Sequence, residues 1–258
     1  MMNQTEQGTK KFRGFIHIHT TFSYDGTFSI SDFADLAKTR HYNFIILTEH
    51  AEDFDDKKMH VLINECKKAS SEEFLVIPGL EFNCNGMHIL GIGVEKYINS
   101  INPEELIRII HENNGLAILA HTAYYKNMPY EKLHDVDIIE IWNPRYGETL
   151  SPSIKSLKIF RKFQTMNKSV MATGGLDFHK TEDFVSLYQV VNSGQLTQKD
   201  ILESLKRGDF ITSNGFIELE PLKDPSIIVT GAIYLLAFIQ FIPEISKKIL
   251  RIIYKMCR

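Results

Sequence analysis

Between Phe15 and about Ser213, short apolar runs alternate with longer amphipathic stretches. The runs GFIHI, NFIILT, EFLVIP, MHILGIG, LAILA, DIIEIW and SVMAT have the length of buried strands. Four stretches repeat at helical period: SISDFADLAKTR, DKKMHVLINECKKAS, NPEELIRIIHENNG and SPSIKSLKIFRKFQTMNK. Ser29 or Ser31 is the expected N-cap of the first. The third has Asn102 and Pro103 at its start and Gly115 at its stop. Strands alternating with helices predict parallel βαβ units and an α/β class. Only the link between EFLVIP and MHILGIG is too short for a crossover helix. Strand alternation also predicts that Phe15, His17 and His19 share one side of the first strand. No internal repeat or low-complexity segment interrupts the pattern.

Composition changes this picture little. The 258 residues are 43% hydrophobic and 24% charged, enough for one large α/β domain or two small ones. A net charge of −3 gives no global nucleic-acid footprint. Three cysteines without CxxC spacing, Cys66, Cys84 and Cys257, argue against a disulfide scaffold and for a reducing compartment. The polar N-terminus lacks the apolar core of a secretory signal.

Chemistry collects at the strand ends. His17 and His19 close the first, with Asp25 in the following loop. Glu49 and His50 close the second, Glu81 follows the third, and His121 and Asn143 follow LAILA and DIIEIW. Asp177 and His179 follow SVMAT. His88 breaks the rule by lying near the start of its run. His41, His60, His111 and His134 sit in helix or loop contexts and read as ordinary polar residues. In α/β folds the C-terminal strand edge carries the active site. Imidazoles and carboxylates without cysteine suit zinc, manganese or iron, in a number about right for two or three ions.

In order along the chain, HIHTTFSYDG, TEH, GLEF, AHTAY and GGLDFH resemble the motifs of the PHP family, the polymerase and histidinol phosphatase metal-dependent phosphoesterases. The resemblance covers roughly residues 13–213. It implies a distorted (β/α)7, TIM-like barrel with a metal cluster at the C-terminal ends of the strands, in a domain of residues 13–220. It further implies that His17, His19, Glu81 and Asp177 surround one metal. Glu81 bridges to a second, held by His88 and His121, while Asp25, His50 and His179 hold a third. The short spacing from Glu81 to His88 departs from the family's pattern. The expected reaction is hydrolysis of a small phosphate ester by metal-activated water, with Glu81, Asp177 and His179 as catalytic groups. Arg145 and Lys180 are expected to bind phosphate oxygens. The same ligand set fits two alternatives, hydrolysis of C–N or C–O bonds and a metal-binding regulatory module without turnover. Nothing marks nucleic acid as an obligate partner.

Residues 221–258 read as a separate tail. PSIIVTGAIYLLAFIQFIP is uncharged, and its apolar stretch from Ile227 to Ile242 is at the lower limit for a membrane span. EISKKILRIIYKMCR follows, with Ile245, Ile249, Ile252, Ile253 and Met256 at helical spacing. Its cations give residues 245–258 a charge of +5, against −8 for the remainder. Three expectations stand: attachment of a cytoplasmic protein to an anionic membrane surface, anchoring by a membrane span, or a helix closing over the barrel.

Overall fold

The computed structural model describes residues 8–223 and 225–239. The described elements run β1 (Lys10–Ile18), α1 (Ile30–Lys38), β2 (Phe44–Leu47), β3 (Glu49–His50), α2 (Asp56–Ala69), β4 (Leu75–Ile77), β5 (Gly79–Cys84) and β6 (Met87–Ile92). They continue α3 (Pro103–Glu112), β7 (Leu116–Leu119), β8 (Ile138–Trp142), α4 (Ile154–Met166), β9 (Met171–Gly174), β10 (Tyr188–Ser193), α5 (Gln198–Arg207), β11 (Phe210–Ser213), β12 (Glu218–Leu219) and α6 (Ile227–Ile239). Helices begin where local chemistry satisfies their first N–H groups. Ser29, not Ser31, caps α1, in a reciprocal capping box with Asp32. Asp55, Asn102 and Ser153 cap α2, α3 and α4.

The fold is mixed α/β, with the strands in two six-stranded sheets ordered β12-β11-β10-β1-β2-β4 and β3-β5-β6-β7-β8-β9. The two sheets touch at their site end. Leu176 N–H donates to Ile16 O at 2.8 Å, His19 N–H to Phe178 O at 2.9 Å, and Thr48 N–H to Ile18 O at 2.9 Å.

Parallel pairing, the expectation for the βαβ units, holds for β1–β2–β4, β3–β5 and β7–β8–β9. It fails at β5–β6–β7 and at β1–β10–β11, which are antiparallel. Between β5 and β6 the cause is the short link. GLEFNC is itself a strand, and Asn85 and Gly86, at φ 55° and 83°, turn it straight back. Two left-handed residues make the hairpin turn that matches strand twist and leaves no crossover.

Alternation sorts the core into two layers. Ile16, Phe44, Ile46, Leu90, Ile118 and Ile138 face one cluster, which Ile201, Leu202 and Leu205 of α5 also join. Phe15, Ile45, Leu47, Ala117 and Leu119 face the other, with Phe33, Leu62, Leu106 and Phe160 from the helices. At the end of β1 the alternation breaks. Ile18 lies with Phe15 in the helix-side cluster, because the register shifts between Ile16 and Ile18. The expectation that Phe15 and His17 share a side is therefore corrected: a bulge at His17 turns its ring away from the helix layer.

α6 packs on α4, with Ile233 fully buried. No helix among the described residues is long and apolar enough to cross a membrane. The basic segment 245–258 lies outside the described residues.

Candidate metal centre

Three side chains of the site stand on left-handed backbone: His17 at φ 70°, His121 at 40° and Asp177 at 52°. Such positions cost on the order of 1–3 kcal/mol each in a non-glycine residue and persist only where the surroundings fix them. Here they turn side chains inward at the rim. His19 lies just past β1, His50 ends β3, His121 follows β7, and Asp177 and His179 follow β9. Glu81 lies inside β5 rather than after a strand. His88 stops being an exception: β6 runs antiparallel, so its start lies at the rim where the parallel strands end. The hairpin also explains the short spacing, since Asn83 pairs directly with His88 across it.

All nine expected ligands come together around Glu81, which is buried. Its Oε1 lies 2.8 Å from His88 Nδ1, 2.9 Å from His121 Nε2 and 3.5 Å from His17 Nε2. Its Oε2 lies 3.2 Å from His50 Nδ1 and 3.4 Å from His19 Nε2. One carboxylate thus faces two groups of imidazoles. Asp177 Oδ1 approaches His179, His17 and His19 at 3.4, 3.7 and 3.8 Å. Asp25 spans the outer pair, 3.2 Å from both His50 and His179. Donor atoms of His19, His50 and His179, and of Glu81, His88 and His121, lie close enough to share an ion.

Hydrogen bonding fixes which ring nitrogens face the centre. Glu140 Oε2 lies 2.7 Å from His17 Nδ1, and a carboxylate only accepts, so Nδ1 carries the proton. Ser23 Oγ donates to Glu49 at 2.6 Å and faces His19 Nδ1 at 3.3 Å, so that nitrogen donates as well. Both rings therefore turn Nε2 inward, and both Nε2 atoms are buried without a hydrogen-bond partner. Unsatisfied buried nitrogens are costly unless something binds them. An acidic donor set facing bare imidazole nitrogens fits a divalent cation.

The electrostatics agree. Burial alone would depress the His17 imidazole, but Glu140 and Asp177 outweigh it and hold the group well above its ordinary value. Burial depresses His19 well below its own, more than Glu81 can restore. Burial would raise Glu81, yet the imidazoles of His121 and His17 hold it well below the usual carboxylate range. These directions keep the Glu81 carboxylate charged and the His19 ring neutral, the states in which each can bind a metal cation.

Arg145 reaches the rim but not the cluster. Its guanidinium donates to Asp183 at 3.2 Å, and the same Asp183 oxygen accepts from His179 N–H at 3.1 Å. Lys180 is exposed beside it. Glu49 is no part of the centre, because Thr20 and Ser23 satisfy its carboxylate. Two contributors, Glu140 and Tyr146, escaped the sequence reading, and Asn143, placed there only at the strand edge, joins them as a partner of the cluster. Glu140 holds His17 and accepts from His121 N–H at 3.0 Å; Asn143 donates to Glu140 at 2.6 Å and to Asp177 at 3.1 Å. Tyr146 lies 4.8 Å from the His121 ring, and burial pushes its phenol up. A lone acid inside the apolar run DIIEIW was the available signal for Glu140.

A model of the PHP domain matches residues 16–157, more than half of the chain. The chain belongs to the PHP family. The match takes in seven of the nine PHP cluster residues; Asp177 and His179 lie beyond it. In fold the chain is similar to a two-domain protein from Bacteroides vulgatus ATCC 8482 containing a predicted PHP-like metal-dependent phosphoesterase. The TM-score is 0.60 at 17% identity, covering 80% of this chain and 65% of that one. The PHP chain thus spans 65% of that relative's length. It is also similar to PsfC from Pseudomonas syringae PB-5123, with a TM-score of 0.53 at 15% identity over 88% of this chain and 99% of that one. A third likeness is to the lesion-specific endonuclease PfuEndoQ from Pyrococcus furiosus. There the TM-score is 0.55 at 14% identity, over 77% of this chain and 56% of that one. At these identities the likeness is one of fold. No curated protein matches.

Proposed function

We propose that this PHP chain is a metal-dependent phosphoesterase acting on a small phosphate ester. Its catalytic domain would be residues 13–220, with the two sheets as halves of an irregular (β/α)7 barrel. The observation that carries the reading is Glu81, a buried carboxylate whose two oxygens face separate imidazole groups, with bare Nε2 atoms of His17 and His19 turned toward it. His17, His19, Glu81 and Asp177 would hold one ion, Glu81, His88 and His121 a second, and Asp25, His50 and His179 a third. Zinc, manganese and iron all suit these donors. Such ions, when bound, would supply Lewis acidity and lower the pKa of bound water.

The chain's own groups do the rest. Glu81 sets the spacing of the first two positions. Asp177 and His179, on one loop, would face the reacting phosphate from the β9 side, and Asn143 fixes the Asp177 carboxylate. Arg145, oriented by Asp183 beside His179, offers a planar fork to phosphate oxygens, and Lys180 adds a point charge. Free, buried Cys66 and Cys84 suit a reducing, cytoplasmic setting. Purified protein with manganese or zinc should release phosphate from small monoesters. Asp177→Asn should slow this by about 10²-fold or more without lowering the melting temperature. The likeness to an endonuclease places DNA on the same panel. Ester or amide cleavage with no phosphoester hydrolysis would reassign the chain to C–O or C–N chemistry. Metal binding with no turnover on any substrate would make it a regulatory module.

A further inference from the structure

The α6 sequence, IIVTGAIYLLAFI, carries no charge on any side. A helix that is apolar all round is ordinarily surrounded by protein or by lipid. Here only one side is covered by the body. Ile233 is fully buried, and Val229 and Leu236 pack partly against the core beside α4. On the opposite side Ile228 is 84% exposed, Leu235 60%, Phe238 69% and Tyr234 50%. Gly231 is exposed among them, so the five residues form one stripe along the helix. The protein solvates its other helices differently: α5 presents Lys199, Glu203 and Lys206 to water.

Charge supplies the partner. Beyond α6 the sequence carries Lys247, Lys248, Arg251, Lys255 and Arg258 against Glu244 alone. These cations share EISKKILRIIYKMCR with five apolar residues at helical spacing. A bare apolar stripe followed at once by a basic segment complements a surface that is apolar beneath and anionic on top. Because Val229, Ile233 and Leu236 hold its other side against the body, α6 meets a bilayer along its length rather than through it. We propose that the exposed stripe of α6 lies on an anionic phospholipid bilayer, in the membrane plane. One side of α6 then holds the barrel and the other holds the membrane. The inference is independent of the proposed reaction.

Co-sedimentation of the full-length protein with vesicles tests it. Vesicles of roughly three parts phosphatidylcholine to one part phosphatidylglycerol should carry the protein down at low salt, far more than phosphatidylcholine alone. Leu235→Glu with Phe238→Glu should weaken binding about tenfold or more while leaving metal content and melting unchanged, because both positions are exposed. Reversal of Lys247, Lys248 and Arg251 to Glu should remove the preference for anionic lipid and its salt dependence. Wild-type protein that stays in the supernatant with anionic vesicles overturns the proposal, as does undiminished binding of the apolar-face variant. A dimer that this variant dissociates, without lipid binding, would assign the stripe to a second copy. Unfolding of the variant, without lipid binding by the wild type, would assign it to the chain's own interior.

Discussion

His17 is held from behind. Glu140 accepts a hydrogen bond from its Nδ1–H, anchors His121 through the backbone and is itself held by Asn143, so one buried carboxylate orients two rings of the centre. Gly175 completes this arrangement, since a Cβ there would collide with the Glu140 carboxylate. Carboxylates behind ligating histidines raise their basicity and fix their direction. Glu140→Gln keeps the shape and removes the charge. It is expected to lower metal affinity about 10–100-fold, read by chelator competition, with the fold retained. Unchanged affinity would reduce Glu140 to a packing residue. At this scale the cluster histidines other than His88 were legible because each lies at or just past the end of an apolar run. The bulge that aims His17 was not, because left-handed backbone at a histidine leaves no mark in an alternating pattern.

Helices were more legible than strand directions. Caps are local chemistry, so Asn102–Pro103 marked the start of α3 in the sequence and in the fold. Strand direction depends on distant pairing; GLEFNC read as part of a short link, although the Asn85–Gly86 turn after it signals a hairpin. A titrating contact also joins elements. His111, in the last turn of α3, lies 2.8 Å from Asp137 just before β8, and Asp137 also accepts from Ala117 N–H of β7. The hydrogen bond to Asp137 raises the imidazole above its ordinary value, while burial and Lys206 oppose it. A raised folded value means the contact stabilises fully below the unfolded pKa of about 6.5 and fades as pH rises through the folded pKa. His111→Gln should therefore lower the melting temperature most near about pH 6, with the difference shrinking toward about pH 9. Partial exposure keeps the effect small. A difference that grows with pH would contradict the assignment.

Across the whole molecule, two sheets meet at one rim, and the donors from both meet there too. β1 of one sheet and β5 of the other bring His17 and Glu81 within 3.5 Å, so the cluster is a long-range product of the fold. Ordered motifs made the cluster readable in advance. The split into two sheets was not readable, nor was the half-docked α6, because both depend on packing partners far along the chain. The central claim is that this rim holds metal. Elemental analysis of the full-length protein, loaded with manganese or zinc and dialysed, tests it most directly. The expected result is about two to three ions per chain in the wild type and loss of most of them in the His17→Ala, His19→Ala double variant. Less than one ion per wild-type chain, or full retention in the double variant, would contradict it.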